Sequence, residues 1–201
     1  FLKAKEYYEK LIEVFPNSSK AVEARFLQGD ALSALGQFAL AIITFEEIVK
    51  NYPGNYHVDL AWGRKGDCQY TLGASDPKRY REAIVSYQEV LNSATASVES
   101  KLQVEYKIGQ SYFKLKNLDK AFEHYMNVVY QYLEQRKRGR EIGAGWFSRA
   151  GFAAAEIMEG RKRWREAVNI YRRVIKADVT PASAEAEKRV TRIRFEKWMF
   201  F

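Results

Sequence analysis

One stretch of the sequence decides the fold: residues 29–53 are GDALSALGQFALAIITFEEIVKNYP. Four residues in its second half are spaced at offsets of −3, 0, +4 and +7, which places them on one stripe of an α-helix. They are Phe38, Ala41, Phe45 and Ile48. Gly29 opens the stretch, and Pro53, which is typical of the end of a helix, closes it. The stretch therefore predicts two consecutive helices.

The same four-part stripe occurs five times along the chain. Its central alanines are Ala4, Ala41, Ala83, Ala121 and Ala167, and the aromatics four positions later are Tyr8, Phe45, Tyr87, Tyr125 and Tyr171. Ahead of four of these helices stands a glycine: Gly29, Gly66, Gly109 and Gly151. Glycine inside a helix costs about 1 kcal/mol relative to alanine, so each one needs a structural reason. We expect these glycines to allow two antiparallel helices to approach closely.

The spacing from glycine to alanine is 12 residues in two repeats, 17 from Gly66 to Ala83, and 16 from Gly151 to Ala167. Insertions are best tolerated in turns at the surface. We therefore expect the extra residues to lie in turns at residues 74–79 and 159–163.

These features resemble the tetratricopeptide repeat family. The resemblance covers almost the whole chain and is closest at Gly29, Leu32, Leu35, Gly36, Phe38, Ala41, Phe45, Ile48 and Pro53. Residues 4–55 also look like the bacterial cell-envelope members, which include Tol-Pal-associated periplasmic proteins and outer-membrane assembly lipoproteins. The phrases FPNS at 15–18 and YPGN at 52–55 carry that likeness. It implies a periplasmic or outer-membrane-associated protein, with a cytoplasmic location as the alternative.

The fold expected is an all-α, right-handed superhelical solenoid of antiparallel helix pairs with a C-terminal closing helix. We predict one solenoid over residues 1–201. Its segments are helix B of a truncated repeat (1–16), four repeats (20–53, 57–92, 99–133 and 142–177) and the closing helix (181–198). The stripe at Phe1, Ala4 and Tyr8 has no helix A of its own, so we expect a further helix before it in the full-length protein, and self-association through this end.

Nothing in the sequence favours catalysis, and we expect neither an enzyme nor a cofactor. No phosphate-binding loop, zinc-ligand spacing or dinucleotide-binding loop occurs. A single cysteine, Cys68, cannot form an internal disulfide and is expected to be a buried packing residue. We expect His57 and His124, which lie in different repeats, to be exposed. No apolar run reaches the ~18 residues that cross a bilayer, so membrane association would need a partner or a missing anchor.

Function is expected at the residues around the glycines, because helix A lines the concave face in the family that the sequence resembles. The candidate partner-binding residues are Phe26, Asp30, Arg64, Asp67, Tyr70, Tyr106, Lys107, Gln110, Phe113, Lys114 and Arg149. Cations interleaved with aromatics suit a peptide that carries acidic and apolar side chains. The sequence thus predicts a protein-protein interaction scaffold. A solvated helix face with scattered ion pairs is the alternative.

The net charge of +8 lies entirely in the last third of the chain. Residues 1–133 hold 16 Lys/Arg and 16 Asp/Glu, whereas residues 134–201 hold 17 and 9. Two basic runs stand out there, the first expected in a loop and the second at a turn: Arg136, Lys137, Arg138 and Arg140, and Arg161, Lys162 and Arg163. Such runs are solvated, bind an acidic protein, or bind nucleic acid or anionic lipid. A nucleic-acid- or membrane-associated module is therefore the alternative function.

Overall fold

The computed structural model describes residues 1–16, 18 and 20–197. In these ranges the chain forms ten α-helices and no β-strand, which confirms the all-α prediction. The helices are α1 (Leu2–Val14), α2 (Ala21–Ala34), α3 (Phe38–Asn51), α4 (His57–Leu72), α5 (Lys78–Asn92), α6 (Val98–Lys114), α7 (Leu118–Lys137), α8 (Gly145–Gly160), α9 (Trp164–Lys176) and α10 (Ala182–Glu196). Position 198, the last of the predicted closing helix, lies outside the described residues.

The helices group into two compact units, Phe1–Ser97 with α1 to α5 and Val98–Phe201 with α6 to α10. Within each unit every helix packs against the next one along the chain. Helices two apart also touch, since α2 contacts α4 and α6 contacts α8. This is the stacking of helix pairs that a repeat architecture requires.

The repeated stripe forms the core of both units. Its alanines at 41, 83, 121 and 167 are fully buried, and its aromatics at 45, 87, 125 and 171 are at most 3% exposed. Helix α1 differs, because none of its residues is buried and Ala4 and Tyr8 are only half-buried. Four of the five predicted stripes are therefore core stripes.

Glycines in α2, α4 and α6 bring paired helices into contact, as predicted. A Cβ atom added to Gly29 would lie 2.6 Å from the ring of Phe45. The corresponding distances are 2.5 Å from Gly66 to Tyr87 and 2.7 Å from Gly109 to Tyr125. Real Cβ atoms do not come so close to another heavy atom, so each aromatic ring occupies the space of a missing side chain.

The last repeat departs from this arrangement. Helix α8 continues to Gly160, so the prediction of extra residues in a turn at 159–163 is wrong; they extend the helix. Ala155, and not Gly151, stands 12 positions before Ala167. Because the two helices are antiparallel, a glycine one turn earlier on α8 meets a residue one turn later on α9: a Cβ atom added to Gly151 would lie 2.7 Å from Val174 Cγ2. The insertion near 74–79 does lie in the connection between Leu72 and Lys78.

Three of the turns between paired helices share one backbone geometry. Their central residues have positive φ: 74° at Gly36, 61° at Lys116 and 58° at Lys162. In each turn the next residue donates its N–H to the carbonyl five positions earlier, the hydrogen bond of a Schellman motif. These bonds are 2.9 Å long and join Gln37 to Leu32, Asn117 to Tyr112 and Arg163 to Met158.

Candidate functional site

In the first unit, the predicted cation Arg64 lies between two carboxylates. Its Nε is 3.0 Å from Asp30 Oδ1 on α2, and its Nη1 is 3.8 Å from Asp67 Oδ2 on α4. Burial raises the pKa of Asp30, and the neighbouring guanidinium only partly offsets that effect. Asp67 also accepts a 2.8 Å hydrogen bond from the Tyr87 hydroxyl. Arg64 is thus shared by two carboxylates, so this part of the first unit does not suit an acidic ligand.

Two aromatic candidates of the first unit contribute mainly to packing. Phe26 was expected on the binding surface, but it is only 9% exposed, so that expectation is wrong. Its ring packs 5.7 Å from the Phe45 ring and 5.2 Å from the His57 ring. Tyr70 is half-buried, with its ring edge-on to Tyr80 at 5.2 Å.

In the second unit, α6 and α8 bring a cation and two aromatics together. The exposed guanidinium of Arg149 lies 4.8 Å from the centre of the Trp146 ring, a cation–π contact. The same ring lies 5.7 Å from Tyr106 on α6. Burial raises the pKa of the Tyr106 hydroxyl, and the charge of Arg149 partly opposes that rise. This cluster of Tyr106, Trp146 and Arg149 has an ionic and an aromatic surface side by side.

The remaining candidates of the second unit lie along α6. Lys107, Gln110 and Lys114 are spaced by three and four positions, which places them on one face of the helix. Lys107 and Gln110 are half-buried, Lys114 is exposed, and Phe113 beside it is 44% exposed. Phe113 lies two helical turns beyond Tyr106, so it extends the side of α6 on which Tyr106 meets Trp146.

Trp146 was missed by the sequence reasoning. It stands five positions before Gly151, beyond the offsets considered, and Gly151 itself is one turn away from the position that the other repeat glycines occupy. A signal was present: Trp146 and Arg149 are three positions apart, so a helix presents them as neighbours.

Both histidines were expected to be exposed, and both expectations are wrong. His57 is 6% exposed, its Nδ1 lies 3.1 Å from Asn55 Oδ1, and burial lowers its pKa. His124 is half-buried, with its Nδ1 3.0 Å from Glu105 Oε1 and its ring stacked on Tyr112. Asn127 donates to the same Glu105 oxygen at 2.9 Å. Each histidine therefore packs within its own unit, His57 in the first and His124 in the second.

The two basic runs differ in structure. Arg136 and Lys137 belong to α7, so the expectation of a loop is wrong for these two residues. In the second run, Arg161 pairs with Asp119 at 2.8 Å and Arg163 with Glu166 at 2.6 Å. Lys162, between them, is exposed and has the positive φ described above.

Cys68 is 3% exposed, which confirms its packing role. Across the described residues, no three His, Cys, Asp or Glu side chains are grouped so that they could hold a metal ion. None of the helices described is both long and apolar enough to pass through a membrane.

These features define a helical repeat protein: stacked helix pairs, a stripe of buried alanines, and glycines at which an aromatic ring occupies the space of the missing side chain. Models of the tetratricopeptide repeat match residues 1–56 and 103–132, one stretch in each unit, so these stretches are similar to the family that the sequence resembles. Repeats of this kind support a protein-protein interaction scaffold. No curated protein matches the sequence.

Solved structures share the fold. A crystal structure of MamA is similar with a TM-score of 0.64 and 21% identity, covering 94% of this chain and 89% of that one. Residues 41 to the end of MamA from Desulfovibrio magneticus RS-1 give a TM-score of 0.57 at 18% identity, with 96% and 87% covered. BtubC (BKLC) from P. vanneervenii gives 0.63 at 12% identity, with 98% and 82% covered. At these identities the likeness extends to the fold alone, which confirms a helical solenoid.

Proposed function

We propose that the chain is a protein-interaction scaffold that binds a peptide segment of its partner on the α6 and α8 surface of the second unit. The observation that carries the proposal is the cluster of Tyr106, Trp146 and Arg149. An exposed guanidinium there lies over one aromatic ring, which in turn contacts a second. Tyr, Trp and Arg are the residues that most often dominate binding energy at protein interfaces.

The chemistry of this surface favours a ligand with both acidic and apolar side chains. Arg149 and Lys114 offer exposed positive charge, and Phe113 offers exposed apolar area. A carboxylate would pair with the guanidinium while an apolar neighbour covers the aromatic rings. The first unit has the opposite local charge at Asp30, Arg64 and Asp67, so we assign the acidic ligand to the second unit only.

A random peptide library selected on the whole chain would test this proposal. The selected peptides are expected to combine Asp or Glu with an aromatic or aliphatic residue. The double variant Arg149→Glu, Phe113→Ala should weaken them by about tenfold or more, because it removes a central cation and an apolar contact. Lys188→Glu, an exposed change on α10, is the control and should leave binding unchanged. Equal affinity for the wild type and the double variant would place the site elsewhere.

We also propose a bacterial cell-envelope setting. Support comes from the resemblance at residues 15–18 and 52–55, and the cytoplasm is the alternative. Fractionation of the source cells, with detection by antibody, tests it: recovery in the cytoplasmic fraction would contradict the proposal.

A further inference from the structure

Six cations lie on α7, on the residues that follow it and on α9. We call this group the cationic face, and it consists of Arg136, Lys137, Arg140, Arg172, Arg173 and Lys176. Tyr130 joins the two helices there, because its hydroxyl accepts a 2.8 Å hydrogen bond from Arg173 Nη1. Lys137 lies two helical turns beyond Tyr130, and Lys176 lies three positions beyond Arg173, so each extends the face along its own helix.

The arginines of the cationic face donate to neutral oxygens. Arg140 donates to Gln135 Oε1 at 2.8 Å, and Arg173 donates to the Tyr130 hydroxyl. Longer contacts of the same kind join Arg172 to Asn169 Oδ1 at 3.3 Å and Arg136 to the Tyr132 hydroxyl at 3.5 Å. Within the described part of the chain none of the six cations forms an ion pair, and the nearby Glu134 pairs instead with Arg138 at 3.0 Å. These hydrogen bonds orient the guanidinium groups and leave their charge uncompensated.

Other arginines of the same unit are neutralised. Arg161 and Arg163 pair with acids, as described above, and Arg189 and Arg192 pair with Glu185 and Glu159 at 3.0 and 2.8 Å. Paired and unpaired cations therefore coexist in this unit, and the cationic face collects six that form no ion pair with another described residue. Like charges held together on one surface favour a ligand of opposite charge.

We infer that the cationic face binds an acidic segment of a protein partner, separately from the α6 and α8 surface. Carboxylates fit the planar donor fork of arginine. Base stacking by a single nucleic acid strand would use open aromatic faces, but one face of the Tyr130 ring lies against the Arg173 guanidinium at 5.0 Å, and Tyr132 is buried. A membrane would favour exposed apolar side chains beside the charges. Tyr130 is the one exposed large hydrophobic residue among the described residues of this face.

A short fluorescent poly-L-glutamate peptide, titrated with the whole chain, tests the inference. We expect binding that weakens as salt rises, since exposed charges are screened. Two double variants should each weaken binding by about tenfold or more. One is Arg172→Glu with Lys176→Glu on α9, and the other is Arg136→Glu with Arg140→Glu at the end of α7. The charge-matched control is Lys188→Glu with Arg194→Glu on α10, both exposed. Thermal melts would confirm that all three variants are folded.

Retained affinity in the control, together with loss in both test variants, supports the inference. An equal loss in all three would overturn it, because net charge alone would then explain binding. Tighter binding to oligothymidylate, or to vesicles of phosphatidylserine and phosphatidylcholine in equal parts, would also overturn it. Because Arg149 and Phe113 lie outside the cationic face, the variant that tests the proposed function should still bind poly-L-glutamate.

Discussion

Gly66 and Tyr87 illustrate how single residues set the distance between helices. The ring of Tyr87 fills the space that a side chain on Gly66 would need, and the Tyr87 hydroxyl also donates to Asp67. Burial, with the nearby Asp67 charge, raises the pKa of that hydroxyl, so it stays protonated and able to donate. The same contact recurs at Gly29 and Gly109.

Two glycines of α4 should respond to alanine in opposite ways. Gly66→Ala forces a Cβ to within 2.5 Å of the Tyr87 ring and should lower the free energy of unfolding by roughly 1–3 kcal/mol. Gly63→Ala meets no atom within 4 Å and should raise it by about 0.5–1 kcal/mol, since alanine is the better helix former. Urea denaturation measures both. Similar effects of the two changes would mean that helix propensity, and not the ring contact, decides the outcome.

His57 should make the first unit less stable in acid. Burial lowers its folded pKa below the ordinary value of 6.5. The unfolded chain therefore takes up a proton at a pH where the folded chain does not, and the free energy of unfolding falls as the pH drops through about 6.5. His57→Phe keeps a ring beside Phe26 and should reduce that fall. Denaturation curves between neutral and mildly acidic pH would reveal it; an identical pH slope in both proteins would contradict the assignment.

At the residue scale, the periodic positions could be predicted and the irregular ones could not. Ala41 and Phe45 repeat at fixed offsets, so five occurrences of one pattern identified their role. Phe26 and His57 bury each other across α2 and α4, and no spacing within one helix encodes that contact. The contact of Trp146 with Tyr106 also joins two helices, so spacing within α8 pointed only to its neighbour Arg149.

At the scale of elements, the turns between paired helices reuse one geometry with different residues. Gly36 adopts positive φ without a Cβ penalty, whereas Lys116 and Lys162 carry that penalty. Helix ends were harder to predict than helices: α7 continues through Arg136 and Lys137 because both are good helix formers, although the run of charges suggested a loop.

Lys116→Gly should raise the free energy of unfolding by roughly 0.5–1 kcal/mol, because it relieves the left-handed backbone and Lys116 is exposed. Gly36→Ala, the reverse change at the matching turn, should lower it by about 1 kcal/mol. Thermal unfolding monitored by circular dichroism would measure both. A loss of stability in Lys116→Gly would show that the lysine side chain contributes more than the backbone penalty costs.

At the scale of the whole molecule, the two units carry very different charges. Residues 1–97 hold 11 Lys/Arg and 12 Asp/Glu, whereas residues 98–201 hold 22 and 13. The sequence predicted the excess of positive charge late in the chain. It did not predict which cations remain uncompensated, because ion pairs such as Arg161 with Asp119 join different helices.

Helix α1 should mediate self-association of this chain. It buries no residue, and Tyr7 and Val14 are 71% and 63% exposed. Replacing both with lysine should shift the chain toward the monomer in light scattering, because exposed apolar area drives association. Glu6→Gln with Glu13→Gln, which changes the charge equally at exposed sites, is the control. A monomeric wild-type chain would contradict the prediction.

The contact between glycine and aromatic ring also has an evolutionary consequence. In three helix pairs, the glycine and the aromatic ring that packs on it lie on consecutive helices joined by one turn. The pairs are α2 with α3, α4 with α5, and α6 with α7. A gene duplication that copies such a pair keeps the two partners together, whereas a breakpoint inside the pair separates a ring from its glycine. Viable duplications and recombinants in this lineage should therefore join at the loops that precede α2, α4 and α6. Substitutions at positions 66 and 87 should be inherited as a coupled pair.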